Sequence, residues 1–372
     1  MGDEIMKIVH IADLHLGKML HQYNLIDIQR ELLENIIDYV SHHEIDAVII
    51  AGDVYDRSVP SQEAVNLLNH FLSELITRLH KKVFMISGNH DSADRLNFAS
   101  AILEEQGLFI ETYLKEKIAF HQEGNIRFYM LPFVKPVHIK QVFEDAPTDN
   151  YHNALAYYLS KQEIDPSYKN ILITHQFVGH KSQTSESELT LSIGGTEIID
   201  PDIFDAFDYV ALGHLHAPQY VKRETVRYSG SLGTYSFDEA KGKKSFVVVD
   251  IDDMHIEEVE LQSRQKVRII RGMFDELRSH ESNKDDLLSI ELEDDHMIPH
   301  AMDLLREVYP HVLKLSYVKL IGDASTSMGK VHAIEKMNMM DLYKTFYQAM
   351  CNQQLDEKDQ KIIETIWEEG TK

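Results

Sequence analysis

Ala47-Val48-Ile49-Ile50-Ala51 runs directly into Gly52-Asp53-Val54-Tyr55-Asp56-Arg57. Consecutive apolar residues of this length read as a strand buried on both faces, the type found in a sheet covered by helices. The glycine and carboxylate that follow put a potential ligand at the strand's carboxyl end, where such folds gather what they bind. The arrangement recurs along the chain. Asp13 and His15 close Lys7-Ile8-Val9-His10-Ile11-Ala12, and Gly88-Asn89-His90-Asp91 closes Val83-Phe84-Met85-Ile86. His175 follows Ile171-Leu172-Ile173, and His214 with His216 follow Tyr209-Val210-Ala211-Leu212. These separate strand ends are expected to converge on one polar cluster.

That cluster is too rich for one ion. Asp13, Asp53, Asn89, His15, His175, His214 and His216 offer mixed oxygen and nitrogen donors. A structural zinc site wants four ligands and favours cysteine, which is missing from the set. Mixed donors suit manganese, iron or zinc in a catalytic role. Two ions about 3.5–4 Å apart form the clamp used for displacement at phosphorus. Taken singly, each of these residues also suits a helix cap; the ordered set points to metal.

Read together, Asp13-x-His15, Gly52-Asp53-x-x-Asp56, Gly88-Asn89-His90-Asp91, His175 and Gly213-His214-x-His216 resemble the motifs of the calcineurin-like metallophosphoesterases. The resemblance runs from residue 7 to about 260. Asp13-Leu14-His15-Leu16-Gly17-Lys18, Arg95-Leu96 and Tyr228-Ser229-Gly230-Ser231-Leu232 narrow it to the SbcD-type nuclease subunits of bacterial DNA repair complexes. The resemblance implies one ion held by Asp13, His15, Asp53 and His216. It places a second on Asp53, Asn89, His175 and His214, with Asp53 bridging. It also implies manganese, and 3′–5′ exonuclease and endonuclease cutting of duplex ends, hairpins and single strands. His90 becomes the catalytic acid, with Asp56 as its carboxylate partner. Chemistry supports the acid independently: a leaving sugar oxygen departs as a basic alkoxide unless protonated, and histidine donates near neutral pH.

Composition sets further bounds. With 372 residues the chain has room for two or three domains, and 43% hydrophobic content is ordinary for a globular protein. No apolar run is long enough to span a bilayer. The acidic start Met1-Gly2-Asp3-Glu4 does not read as a secretory signal, and Met6 is an alternative natural start. The single Cys351 fits a reducing compartment, so a cytoplasmic protein is expected. Lys and Arg number 37 against 61 for Asp and Glu, a formal charge of −24. Proteins that hold DNA by counterion release are normally basic. Weak intrinsic DNA affinity is therefore expected, with a partner supplying much of the grip. Lys18, His21, Arg57 and Arg95 in the motif loops are candidates for a local basic patch.

Strands and helices alternate to about residue 110, then strands crowd together, which a mixed two-sheet α/β sandwich flanked by helices accommodates. Lys181 to Gly195 reads as a long loop. Val267 to Ile270, Leu287 to Leu292 and Leu313 to Leu320 read as strands, with Pro299 to Tyr309 as a helix. The expected division is a phosphoesterase domain over 1–263, a small α/β capping domain over 264–321, a linker over 322–334 and C-terminal helices over 335–372. The Met-rich stretch around Phe346, and a second stretch ending near Trp367, suit docking. The resemblance names the occupant: the coiled coil of an SbcC-type ATPase. Residues 61–80 form a helix whose apolar arc is wider than one core face needs. A homodimer within a heterotetramer is expected. No G-x-x-x-x-G-K-[ST] is present, so ATP dependence must come from the partner. The competing readings are a phosphomonoesterase, suggested by Arg57, and a non-catalytic scaffold, which eroded ligands would mark.

Overall fold

Side chains along Ala47–Ala51 divide between two apolar layers. Ala47, Ile49 and Ala51 join one layer, while Val48 and Ile50 join another. Neighbouring Lys82–Ile86 does the same, Phe84 and Ile86 facing one way, Val83 and Met85 the other. Period-two alternation with both faces apolar is what a covered sheet requires. The structure, a computed structural model, describes residues 6–179, 197–279 and 283–319. The loop expected over Lys181 to Gly195, the linker, and the tail bearing Phe346 and Trp367 lie outside the described residues.

Two six-stranded sheets build the sandwich. In the first, Lys7–Ile11, Ala47–Ala51, Lys82–Ile86 and Leu108–Glu111 run parallel, and Ser245–Asp250 and Ile256–Glu260 extend it antiparallel beyond Lys7–Ile11. In the second, Ile126–Leu131, Lys169–His175, Tyr209–Gly213 and Arg223–Tyr228 are parallel, with antiparallel edges at Ala119–Glu123 and Gln219–Val221. The layer between the sheets is made by residues such as Ile49, Phe84, Phe128, Ile171 and Val247. Helices Ile26–His42 and Gln62–Ser73 cover the outside of the first sheet. Pro136–Val142 and Tyr151–Ser160 cover the second. Among the described residues, no helix is long and apolar enough to cross a membrane.

The helix expected over 61–80 begins at Gln62, where Ser61 accepts the Ala64 amide. It continues as a wider-turned segment over Glu74–Arg78. Its broad arc is accounted for within this chain, because the helix packs against both the sheet and Ile26–His42. Val65 stays exposed, at 43%. The width of the arc therefore gives no support to a second subunit.

The chain divides into two compact units. The first comprises Met1–Ile270, Asn283–Ser289 and Tyr309–Lys314; the second comprises Arg271–Ser282, Ile290–Val308 and Leu315–Lys372. Besides the sandwich, Val267–Gly272, Leu287–Leu292 and Val312–Tyr317 form a three-stranded sheet. In the first unit Val267 and Leu287 pack with Leu20, Leu25 and Tyr235. In the second, Phe274–Ser279 packs on Ala301–Arg306. The latter helix is shorter than the Pro299 to Tyr309 expected, because His300 takes a left-handed conformation (φ 56°) and blocks an earlier start.

Candidate metal centre

All the strand-end donors come together. His15 Nε2 faces His216 Nε2 at 3.2 Å and Asp53 Oδ2 at 3.6 Å. Asp13 offers an oxygen within 4.8 Å of both histidines. His175 Nε2 lies 3.0 Å from Asn89 Oδ1 and 3.4 Å from Asp53 Oδ2, and His214 Nδ1 is 3.2 Å from the same Asn89 oxygen. Donors bound to one ion at about 2.1 Å sit roughly 3–3.5 Å apart, so these separations fit ligand edges. Asp53 Oδ2 lies close to donors of both groups, and Asp13 also has an oxygen within 4.8 Å of donors in each. Histidines Nε2 to Nε2 at 3.2 Å, buried and aimed at one point, are what a cation would reconcile. The donor chemistry thus fits two divalent ions.

Local backbone explains why these side chains converge. Asp13, His15, Asp53 and His214 all have positive φ, at 51°, 43°, 50° and 114°. Such conformations cost energy in L-residues and persist where surrounding bonds enforce them. Here Asp13 N donates to the Gly52 carbonyl, His15 N to the Asp53 carbonyl, and the His214 amide to the Asp13 carboxylate. Gly88 and Gly213 allow the closest approaches. A Cβ on Gly213 would sit 1.9 Å from the Ala51 carbonyl oxygen, and one on Gly88 2.1 Å from Asp53 Oδ1.

Burial and charge oppose each other within the cluster. Burial pushes Asp13 up to about 7 and drives His214 down to about 3. Burial also opposes ionisation of Asp53, but His175, His15 and His90 outweigh it and hold this carboxyl well below the usual range. His175 is raised to about 9: Asp53 and Asp13 overcome the cost of burying its charge.

His90 lies next to this cluster and forms a further close group of possible donors with His15 and Asp56. Its Nε2 is 4.0 Å from Asp53 Oδ2, and its side chain is 34% exposed. Its backbone amide donates to Asp53 Oδ1 at 2.9 Å. The partner of His90 Nδ1 differs from expectation. It is the backbone carbonyl of Asp56, at 3.1 Å, rather than the Asp56 carboxylate. That carboxylate takes Lys18 Nζ at 2.8 Å and lies 3.7 Å from His15 Nδ1. Lys18 is thus paired with Asp56 and 17% exposed. Arg57, near Asp56, is 73% exposed; Arg95 and His21 are also exposed. Asp91 is structural: its carboxylate accepts the amides of Val54, Tyr55 and Gly88.

Sequence reading passed over several supports. Gln29, fully buried, bonds the carbonyls of Leu14 and His15 and accepts the Gly17 amide. Tyr235 donates to the Leu14 carbonyl, and Glu239 accepts from His216 Nδ1 at 3.1 Å. Gln29 alone left a signal, a polar residue in the buried stripe that includes Ile26, Leu33, Ile36 and Val40.

Comparison with known families decides the relationship. The model for calcineurin-like phosphoesterase matches residues 6–218. The chain belongs to this family. A second model, the Type 5 capsule protein repressor C-terminal domain of SbcD proteins, matches residues 263–350. A calcineurin-like phosphoesterase domain followed by this C-terminal domain is consistent with an SbcD-type protein. Among solved structures, a dimetal phosphatase from Danio rerio aligns with 69% of this chain and 97% of its own, at 12% identity and a TM-score of 0.39. Family and donor set together make the protein a metal-dependent phosphoesterase.

Proposed function

We propose that this phosphoesterase is a manganese-dependent DNA nuclease, the cutting subunit of an ATP-driven repair complex. The observation that carries the reading is the C-terminal SbcD model, which matches residues 263–350, beyond the phosphoesterase match over 6–218, and which a phosphatase leaves unexplained. A cleft of about 450 Å³ beside Asn89 adds support. Phe133, Tyr113, Lys135 and His138 line it, aromatic and basic groups of the type that hold a nucleotide strand.

Asp13, His15, Asp53 and His216 would hold one ion, and Asp53, Asn89, His175 and His214 the other. When bound, the pair supplies Lewis acidity toward the phosphoryl group and an activated water. The chain's own residues do the rest. Asp53 fixes the spacing between the two donor groups. The Asp56 carbonyl holds His90 Nδ1 and leaves Nε2 turned toward the site, from which it protonates the departing sugar oxygen. Arg57 and Arg95, exposed near the motif loops, meet the phosphate backbone. The charge of −24 leaves DNA capture largely to an SbcC-type ATPase, docked by the C-terminal segment with Phe346 and Trp367. The proposed assembly includes a homodimer of this chain. The location proposed is the cytoplasm.

The test is purified protein with manganese, with and without the ATPase, on hairpin DNA, single-stranded DNA and an aryl phosphate. Manganese-dependent DNA cutting is expected. Hydrolysis of the aryl phosphate with DNA left intact would replace this reading by the phosphomonoesterase. A chain ending near Asp323 should keep manganese-dependent cutting of single strands and lose ATP-dependent processing of duplex ends. Retained ATP-dependent processing would refute the docking role.

A further inference from the structure

Lys244 is 9% exposed and Glu239 6%, and the two meet in a buried ion pair. Glu239 Oε2 accepts from Lys244 Nζ at 2.7 Å, and Oε1 accepts from Ser236 Oγ at 2.8 Å and faces His216 Nδ1 at 3.1 Å. Lys244 Nζ also donates to the His216 carbonyl at 3.0 Å and to Ser231 Oγ at 2.7 Å. The two side chains therefore grip one residue from both ends, its ring and its backbone. Ser231 belongs to the Tyr228 to Leu232 stretch singled out in the sequence, and its amide donates to the same His216 carbonyl at 3.1 Å.

A buried ion pair gives little net stability, because two charges lose their hydration to meet. A structural role alone would be served as well by two apolar residues. What the pair supplies is a choice of ring form. A carboxylate accepts only, so the nitrogen facing it must carry hydrogen. With Nδ1 protonated, His216 Nε2 presents a bare lone pair toward His15 and the first donor group. A histidine without such a partner divides between two tautomers and rotates.

We infer that Glu239 and Lys244 are a positioning pair that sets the tautomer and orientation of His216, and thereby the affinity of the first of the two metal positions. The inference rests on the two-metal reading and extends it to residues outside the donor motifs. It assigns the pair to the position that His216 would serve, because both side chains bond that residue, one at its ring and one at its carbonyl.

The experiment uses the full chain, isothermal titration calorimetry with manganese, and ¹⁵N spectra of the histidine-labelled, metal-free protein. Glu239→Leu should weaken one of two sites by about 10–100-fold and leave the other within about twofold. The His216 nitrogen shifts should move from a single Nδ1–H form to a mixture. Glu239→Gln keeps an accepting oxygen and should restore most of the affinity. Lys244→Met should lower the same site and spare the other. Two wild-type-like sites in Glu239→Leu, with an unchanged His216 signature, would overturn the pair's role while leaving the metal reading intact. Equal weakening of both sites without rescue by Glu239→Gln would also overturn it. A wild-type protein that takes up fewer than two ions would bring down the metal reading itself, and the pair's role with it.

Discussion

A single methyl group on Gly88 tests the geometry of the centre most sharply. A Cβ there would meet Asp53 Oδ1 at 2.1 Å, the Asp53 amide nitrogen at 2.3 Å and its Cγ at 2.7 Å. Close packing leaves no slack, so the Asp53 carboxylate must shift by roughly 1 Å. Metal sites tolerate only about 0.2 Å in ligand distance. Because Asp53 touches both donor groups, Gly88→Ala should weaken both ions by at least about tenfold, and cleavage should fall about 10²-fold. Overpacking should also cost about 1–3 kcal/mol of stability in the metal-free protein. Gly124→Ala separates these effects. Its φ is +56° with nothing within 4 Å, so it meets only backbone strain of about 1–2 kcal/mol. Calorimetric manganese titrations and DNA cleavage, run well below both melting temperatures, should show metal loss in Gly88→Ala alone. Two intact sites and full cleavage in Gly88→Ala would refute the bridging geometry. Equal metal loss in Gly124→Ala would trace the effect to general destabilisation.

Asp53→Ala should abolish both metal sites, whereas Asn89→Ala should weaken one, and two intact sites in Asp53→Ala would remove the bridge. His90→Gln should keep both ions and reduce DNA cleavage by about 10²–10⁴. A nitrophenyl phosphodiester, whose leaving group needs little protonation, should lose much less, and equal loss on both substrates would contradict the acid role. His10 is buried against the Tyr209 hydroxyl, and burial, aided by Arg227, lowers it to about 3 from 6.5. The folded state therefore keeps it neutral while the unfolded chain takes a proton, so stability present above pH 6.5 is lost as pH falls toward 3. Denaturant unfolding of metal-free protein between pH 6.5 and 5 should show a slope shallower by about 1 kcal/mol per pH unit in His10→Gln, and equal slopes would refute the assignment.

The donors were legible in the sequence because each follows an apolar run whose burial on both faces is a local property. Val48 and Ile50 against Ala47, Ile49 and Ala51 show that pattern carried into the layers of the sandwich. Supports reaching the site from elsewhere were not legible. Glu239 lies in a short turn at Asp238–Lys241, 23 residues beyond the histidine it holds, and no local pattern links them. At Asp56 the sequence offers two acceptors, and residue identity cannot tell that the carbonyl takes His90 while the carboxylate takes Lys18. The helix starting at Gln62 was ambiguous for another reason. A wide apolar arc looks alike whether its second side meets a partner or, as here, another helix of the same chain.

Donors hang from both halves of the sandwich: Asp13, Asp53 and Asn89 follow strands of one sheet, His175, His214 and His216 strands of the other. Any cation shared between them works as a clasp across the rim. Ligands that bind the folded state alone add to its stability in proportion to the logarithm of their concentration. Chelation would thus do more than silence a reaction. It would leave that rim fastened only by pins such as the His175 ring on the Ala51 carbonyl and the His214 amide on Asp13. The end of the molecule that gathers the donors is also the end where its two halves are buckled together, and a cell short of metal would hold a looser protein as well as an idle one.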